Sequence, residues 1–335
     1  MMQYELAAGT HVGLVRTNNE DNFVVNADLS KDAWVVPATD DPLDLGSYGT
    51  LLVVADGMGG ANAGEVASAI AIETIQREFA ADKLQERFPI SDEGVSTYDD
   101  EEFVQFMCAA VQCADINIVN HSHEDSSTQG MGTTVVMAWV LHGKVYVVWC
   151  GDSRCYLFNE KSGLIRLSKD HSYVQELVDA GKLSEDNAFD HPYSNIITRC
   201  LGDQERRAEP DYRIHTLQQG DVLLLCSDGL HGLCRDEEIM MLISEQTAQP
   251  LEVCRDALIQ AALDAGGHDN VTVALCRITD IKGDDSDIQL GNTLPFHRST
   301  KRHLPLWLFI ALLVVCASVY FLTRYGDVVA SWLQR

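Results

Sequence analysis

Basic side chains are scarce in this chain: 24 Lys and Arg stand against 50 Asp and Glu, a formal net charge of −26. The deficit is uneven. Residues 281–335 hold six basic and four acidic side chains, a net of +2, which leaves −28 on the 280 residues before them. A body of that sign repels nucleic acid and anionic lipid and suits cations or basic substrates, so nucleic acid is excluded as a partner. No sequence period recurs, which excludes solenoids and propellers. The ten cysteines include no CxxC pair and no zinc-ligand spacing, and Cys150, Cys226 and Cys276 stand inside apolar runs. They read as small buried hydrophobes in a reducing compartment. The N-terminus, MMQYELAAG, lacks a basic stretch followed by an apolar core, so no secretory signal is expected.

Charge is also missing from one long run. LPLWLFIALLVVCASVYFLT, residues 304–323, has no charged side chain, and roughly 20 apolar residues let a helix cross a bilayer core. Arg298, Lys301 and Arg302 precede the run, while Arg324 and Arg335 follow it, offset by Asp327. The basic flank belongs on the cytoplasmic side, with the body. The run reads as a single-pass C-terminal transmembrane helix, residues 281–303 as its polar linker and 324–335 as a short tail. It has no GxxxG, so dimerisation through it has no support, and the oligomeric state stays open.

Residues 1–280 read as one domain. Short strands are expected at Phe23–Asn26 and Ala33–Val36, and a connecting loop at 37–50. Leu51–Gly60, LLVVADGMGG, is an apolar strand that delivers Asp56 at its tip. Gly57, Gly59 and Gly60 there let backbone approach closely. Ala63–Phe79 has helical spacing, 82–101 reads as a solvated acidic excursion, and Glu102–Val119 as a second helix. Strands return between Thr133 and Leu167. A short helix is expected at Val174–Ala180 and irregular chain over 181–211. A strand over Asp221–Cys226, helices at Glu237–Ser244 and Leu251–Leu263, and a last strand over Val271–Ile278 follow. The globular part is expected to end near Arg277–Asp280. Strands in runs, separated by two long helices, point to an α+β fold of mainly antiparallel sheets covered by helices.

The acids at the strand ends carry the chemistry. Asp56, Asp152 and Asp228 follow the exits of apolar strands, Glu20 and Asp21 precede an entrance, and Asp269 precedes the last strand. In antiparallel sheets one strand's exit lies beside the next strand's entrance, so these carboxylates share an edge. Crowded and unpaired, they would raise one another's pKa values. Hard divalent cations remove that penalty, and oxygen-only ligation favours magnesium or manganese over zinc. Any single Asp-Gly is an ordinary turn, as Asp221 in QQGDV reads; the collective placement is what points to a metal site.

In order along the chain stand NNED at 18–21, VADGMGG at 54–60, GTT at 132–134, GDSRCY at 151–156, KDHS at 169–172, CSDGL at 226–230 and GGHDNVT at 266–272. Together they resemble the PPM (type 2C) family of metal-dependent protein serine/threonine phosphatases in its bacterial form, over about residues 5–278. The resemblance implies a four-layer α-β-β-α sandwich of two antiparallel sheets between helices. It implies that Asp56 bridges two Mn²⁺ or Mg²⁺ ions, that Asp228 and Asp269 complete one site, and that the Gly57 carbonyl serves the other. Glu20 and Asp21 resemble acids that hold the metals' waters. Asp152 with Asp228 corresponds to a third-metal site, and Arg16 to the phosphate-binding arginine, whose fork can clamp two phosphate oxygens. The implied reaction is attack on phosphorus by a hydroxide bridging the two ions, with no covalent enzyme intermediate.

The histidine that some members carry after the Asp-Gly pair is replaced here by Met58. That leaves a metal-bound water, His171 or His191 as donors to the leaving alkoxide. Residues 172–199 correspond to the family's variable flap, where substrate choice is expected. Phosphoproteins, opposed by a serine/threonine kinase, are the implied substrates, and a bacterial inner membrane with the catalytic body in the cytoplasm is the expected location.

Rival patterns are present. Cys200 to Arg206 fits Cys-x5-Arg, the tyrosine-phosphatase nucleophile spacing, but Asp203 and Glu205 repel a dianion and raise the thiol's pKa. His121 to Asp125, HSHED, reads as a solvated helix end rather than a metal tail. His268 reads as a turn residue. A retired phosphatase scaffold that only binds phosphoproteins is the non-catalytic alternative, and loss of metal-binding acids would mark it; every one is present.

Overall fold

Near-continuous apolar runs such as LLVVA and VVMAWVL are what a strand needs when both faces of its sheet are covered, and in the structure these two lie side by side, Leu52 opposite Ala138. The structure, a computed structural model, describes residues 2–35, 41–59, 63–90 and 98–281, and the backbone of residues 297–298. Its strands are β1 (Met2–His11), β2 (Asn22–Asn26), β3 (Leu43–Asp44), β4 (Thr50–Ala55), β5 (Gly57–Met58), β6 (Gly132–Thr133) and β7 (Val135–Leu141). They continue as β8 (Lys144–Cys150), β9 (Arg154–Asn159), β10 (Gly163–Arg166), β11 (Asp211–Thr216), β12 (Val222–Cys226), β13 (Val271–Ile281) and β14 (His297–Arg298). The α-helices are α1 (Gly64–Glu78), α2 (Ala81–Arg87), α3 (Asp100–Glu124), α4 (Tyr173–Asp179), α5 (Glu185–Phe189), α6 (Asp228–His231), α7 (Asp236–Glu245) and α8 (Leu251–Asp264).

Two six-stranded antiparallel sheets carry the fold, ordered β10-β9-β12-β13-β1-β3 and β14-β11-β8-β7-β4-β2. Side-chain alternation sorts the strands' residues into layers. Leu52 and Val54 of β4 point between the sheets, where they join Trp149, Leu223, Leu225, Ala274 and Cys276. Leu51 and Val53 point the other way, against α1 and α3. Leu224 and Cys226 of β12 face α7 and α8 on the outside of the other sheet. The layering is helix, sheet, sheet, helix, as the family resemblance implies.

The helices start where the sequence supplies caps. Asp99 accepts the Glu102 N–H (2.9 Å) while the Glu102 carboxylate accepts the Asp99 N–H (3.1 Å), a capping box that sets the start of α3. This helix is long and apolar enough to cross a membrane, but half of it is buried on its own sheet, which makes it a core helix.

Several expectations need correction. No strand forms over Ala33–Val35, because a 3₁₀ turn at Leu29–Lys31 and a left-handed Asp32 (φ 51°) break the extended run; Val36 lies outside the described residues. The stretch 82–101 is not simply solvated. α2 buries Leu84, and Phe88 just beyond it packs edge and face on Phe103 (4.9 Å) and Phe106 (5.3 Å); residues 91–97 lie outside the described residues. The loop at 37–50 carries β3, which pairs with β1. The stretch 181–211 contains the short α5 and opens β11 at its last residue. β13 runs on to Ile281, and the segment read as linker contributes β14. The apolar run at 304–323 and the tail at 324–335 lie outside the described residues.

Candidate active site

Strand direction assembles the acids. β4 and β12 run towards the same rim and end at Asp56 and Asp228; β8 ends there too, and Asp152 follows it after one glycine. β2 and β13 start from that rim, with Asn22 opposite Ala55 and Val273 opposite Cys226. Asp21 and Asp269 precede them. Asp56 feels the other four aspartates. Burial first, then Asp228, Asp21, Asp152 and Asp269, push the Asp56 carboxyl well above its usual range. Burial, then Asp228 and Asp170, do the same to Asp152. Burial, then Asp269, raise Asp228 to about 6 against the opposing hydrogen bond from Asp56 and the charge of Arg16. Burial raises Asp21 to about 7, although Thr272 and Ser227 donate to it. Glu20 is raised by burial and by Glu65. Asp56 and Asp228 keep part of their surface exposed at the rim, while protein encloses their other sides.

Backbone and hydroxyl groups hold these acids in place. The Asp56 carbonyl accepts from the Thr134 N–H (2.8 Å) and the Thr133 hydroxyl (2.9 Å). Gly57 donates its N–H to the Glu20 carbonyl (3.2 Å), and a Cβ there would lie 2.2 Å from the Gly64 carbonyl oxygen, so only glycine fits. Asp21 Oδ2 accepts from Ser227 (2.7 Å) and Thr272 (2.6 Å), tying an acid of one sheet to two hydroxyls of the other. Asn270 accepts the Glu20 N–H (2.8 Å) and donates to the carbonyls of Val12 and Asn18 (2.9 Å each), which pins the loop bearing Arg16. Arg16, its side chain 52% exposed, donates to Asp269 at 2.7 Å.

Behind Asp152 lies a buried ion pair. Arg154 donates through Nε (3.0 Å) and Nη2 (2.7 Å) to Asp170, and through Nη1 to the Tyr156 hydroxyl (2.8 Å). Burial opposes ionisation of Asp170, yet Arg154 and Arg166 hold its carboxyl well below the usual range. With Arg154 so engaged, Arg16 is an exposed cation beside Asp269 at the rim. Asp152 Oδ1 and Glu65 Oε2 are buried with no hydrogen-bond partner among the described residues. Orphaned carboxylate oxygens among acids that outnumber the neighbouring cations fit hard, oxygen-seeking metal ions. Among the described residues no three His, Cys, Asp or Glu side chains are drawn together closely enough to hold a metal ion by themselves.

The remaining candidates fall elsewhere. His171 is buried; its Nδ1 accepts the Gly151 N–H (3.1 Å) and its Nε2 faces Asp211 (3.2 Å), so it braces the rim instead of offering a proton. Burial lowers its pKa despite Asp211. His191 accepts the Tyr193 N–H (3.2 Å) within the flap. Met58 pairs with Gly132 and carries no proton to give. Burial, then Asp203, push the Cys200 thiol up to about 11, which leaves it protonated and closes the cysteine route. His121 and His123 end α3, His268 is an exposed turn residue, and Asp221 closes a turn by accepting from Gln218 N–H (2.7 Å) and Asn159 (2.7 Å). Sequence reasoning passed over Thr133, Thr134, Asp170, Ser227, Asn270 and Thr272, although each stands inside one of the motifs quoted above. Glu65, in the first turn of α1, has no such signal.

Known proteins match this arrangement. The protein phosphatase 2C family pattern matches residues 36–265. The serine/threonine phosphatase stp of Listeria innocua is 32% identical over 266 residues, which cover 79% of this chain and 92% of that protein. The serine/threonine phosphatase Stp1 from Staphylococcus aureus superposes with a TM-score of 0.68 at 31% identity, over 84% of this chain and 96% of that one. The catalytic domain of the phosphatase PstP, solved in complex with two manganese ions, gives a TM-score of 0.63 at 30% identity, over 84% of this chain and 100% of that one. On its fold, its rim of acids and these likenesses, the chain belongs to the protein phosphatase 2C family of serine/threonine phosphatases.

Proposed function

We propose that Asp56, Asp228, Asp269 and the Gly57 carbonyl hold two Mn²⁺ or Mg²⁺ ions in a membrane-anchored phosphatase that acts on phosphoserine and phosphothreonine in proteins. The activity is the family's own: metal-dependent protein serine/threonine phosphatase. The observation that supports these residue roles is that burial and neighbouring aspartates raise Asp56, Asp228 and Asp152 alike, a burden that hard cations would offset. When bound, such ions lower the pKa of water, polarise the phosphoryl oxygens and neutralise the acids. Glu20 and Asp21 order water at the same rim, and Asp152 with Asp228 offers a weaker third position. Arg16, half-exposed beside Asp269, would clamp two phosphoryl oxygens of the incoming substrate. His171 is engaged by Gly151 and Asp211, and His191 accepts from Tyr193 within the flap, so water at the rim would protonate the leaving alkoxide.

The anchor reading rests on the uncharged run at 304–323 and its basic N-terminal flank. It puts the body on the cytoplasmic face of a bacterial inner membrane, opposing a serine/threonine kinase. Turnover of a phosphothreonine peptide by the full chain tests the enzyme against a phospho-binding module. Phosphate release should need Mn²⁺, stop with a chelator and survive Cys200→Ser unchanged. Tight peptide binding without phosphate release, or loss of release in Cys200→Ser with metal irrelevant, would contradict the reading.

A further inference from the structure

Apolar side chains stand exposed where the turn after β1 reaches the rim. Residues 11–16 read HVGLVR. Leu14 and Val15, exposed at 64% and 62%, are among the three most exposed large hydrophobic side chains of the described residues. Single apolar residues scattered on a surface are ordinary. These two are consecutive, and the next residue is Arg16, whose half-exposed side chain donates to Asp269 at 2.7 Å.

The turn is fixed to the loop that carries Asp269. Gly13 adopts φ 81°, and a Cβ there would lie 2.2 Å from the Asp269 carbonyl oxygen, so glycine is required. The Leu14 N–H donates to the Gly267 carbonyl (2.7 Å). A Cβ on Gly267 would lie 2.8 Å from Leu14 Cγ, so the leucine rests on backbone that must stay bare. Asn270 donates to the carbonyls of Val12 and Asn18, one on each side of the pair (2.9 Å each). Leu14 and Val15 thus keep a set place beside Arg16 and Asp269. A surface ordered in advance loses little freedom when a partner covers it.

We propose that Leu14 and Val15 form a contact surface for apolar side chains next to the phosphorylated residue of a protein substrate. The proposal rests on the phosphatase reading given above, in which Arg16 takes the phosphoryl group. Successive Cα atoms lie about 3.8 Å apart in any chain. A substrate whose phosphoryl group meets Arg16 therefore brings the residues beside it within reach of Val15 and Leu14. Acidic flanks are repelled by the net −28 of residues 1–280. A hydrated aliphatic pair gains free energy when an apolar side chain displaces its water, and far less when a polar one does. Part of the substrate choice then lies in this turn, outside the flap at 172–199.

Two phosphothreonine peptides of equal length and charge test the surface, with Leu or with Ser at both positions flanking the phosphothreonine. The full chain with Mn²⁺ should cleave the Leu peptide with a kcat/KM on the order of 10-fold higher, the scale of a few methylenes at a binding contact. The gain should sit in KM, with kcat alike for both peptides, because the contact is made equally in the ground and transition states. The variant Leu14→Ser with Val15→Ser should bring the ratio of the two kcat/KM values below about 2, whereas Leu14→Ile with Val15→Ile should keep it. Equal kcat/KM for both peptides in the unaltered chain would overturn the surface. So would a serine variant that slows both peptides alike and keeps the ratio, since the pair would then only support the Arg16 turn. Absence of phosphate release from either peptide would sink the phosphatase reading and the surface with it, while release without preference would sink the surface alone.

Discussion

Replacing Asp56 by Asn should lower Mn²⁺-dependent turnover of a phosphothreonine peptide by at least about 10³-fold, some 4 kcal/mol of transition-state stabilisation, while making the metal-free protein more stable. Both effects come from one cause. Asp56 stands at the exit of β4 where four other aspartates press on it, and its backbone is fixed by Thr133 and Thr134. An amide keeps the shape and one acceptor oxygen but removes the charge that holds cations. Without cations that same charge is a burden on the fold, because it must be buried among others of its sign. Its removal should raise the unfolding free energy of chelator-treated protein by about 0.5–2 kcal/mol, the range common when an active-site strain is relieved. Circular dichroism during denaturant titration, beside a phosphate-release assay, measures both. A variant that loses activity because it unfolds would fail on the second count.

The same crowding sets how metal and pH act on stability. Asp21 at about 7 and Asp228 at about 6, with Asp56 and Asp152 also raised, bind protons in the folded chain that an unfolded chain has released above pH ~4. Between those limits the folded state holds more protons, so the stability of metal-free protein must fall as pH rises through about 4 to 7. Asp170, Asp211 and Asp28 are held low by their partners and act in the opposite sense, losing their contribution only as pH falls below about 4. Chelator-treated protein should therefore be most stable near pH 4–5. Mn²⁺ binds the ionised acids and displaces their protons. At a concentration about 1,000 times its dissociation constant, it should add about 4 kcal/mol near pH 8. That corresponds to a rise of about 8–16 °C in the midpoint, at 2–4 °C per kcal/mol. At pH 5 the rise should be less than half as large. A metal-induced shift independent of pH would mean that the ions bind somewhere other than among these acids.

Much of the fold was legible because its sheets are covered on both faces. Leu51–Ala55, Val135–Leu141 and Val222–Cys226 are apolar throughout for that reason, and strand exits and entrances then located the acids of the rim. What stayed hidden is mostly polar or lies at edges. β11 reads DYRIHT and lies next to the edge of its sheet, so its half-buried side chains give no apolar run. Phe88 and Leu84 anchor α2 from within an acidic neighbourhood whose composition outweighs two side chains. The residues that hold the site do so across great sequence distances: Thr272 reaches Asp21 over 251 positions, and Asn270 reaches the loop of Arg16. No local period reports such a contact. The four-layer order came from the family resemblance, since periodicity shows that a face is covered but not by what.

The central claim is that Asp56 is shared by two hard cations. Anomalous diffraction at the manganese edge, from crystals of the full chain grown with Mn²⁺, tests it most directly. The account predicts two strong peaks flanking the Asp56 carboxylate, with Asp228 and Asp269 beside one and the Gly57 carbonyl beside the other. Peaks confined to other surfaces, such as the His121–His123 end of α3, would contradict it.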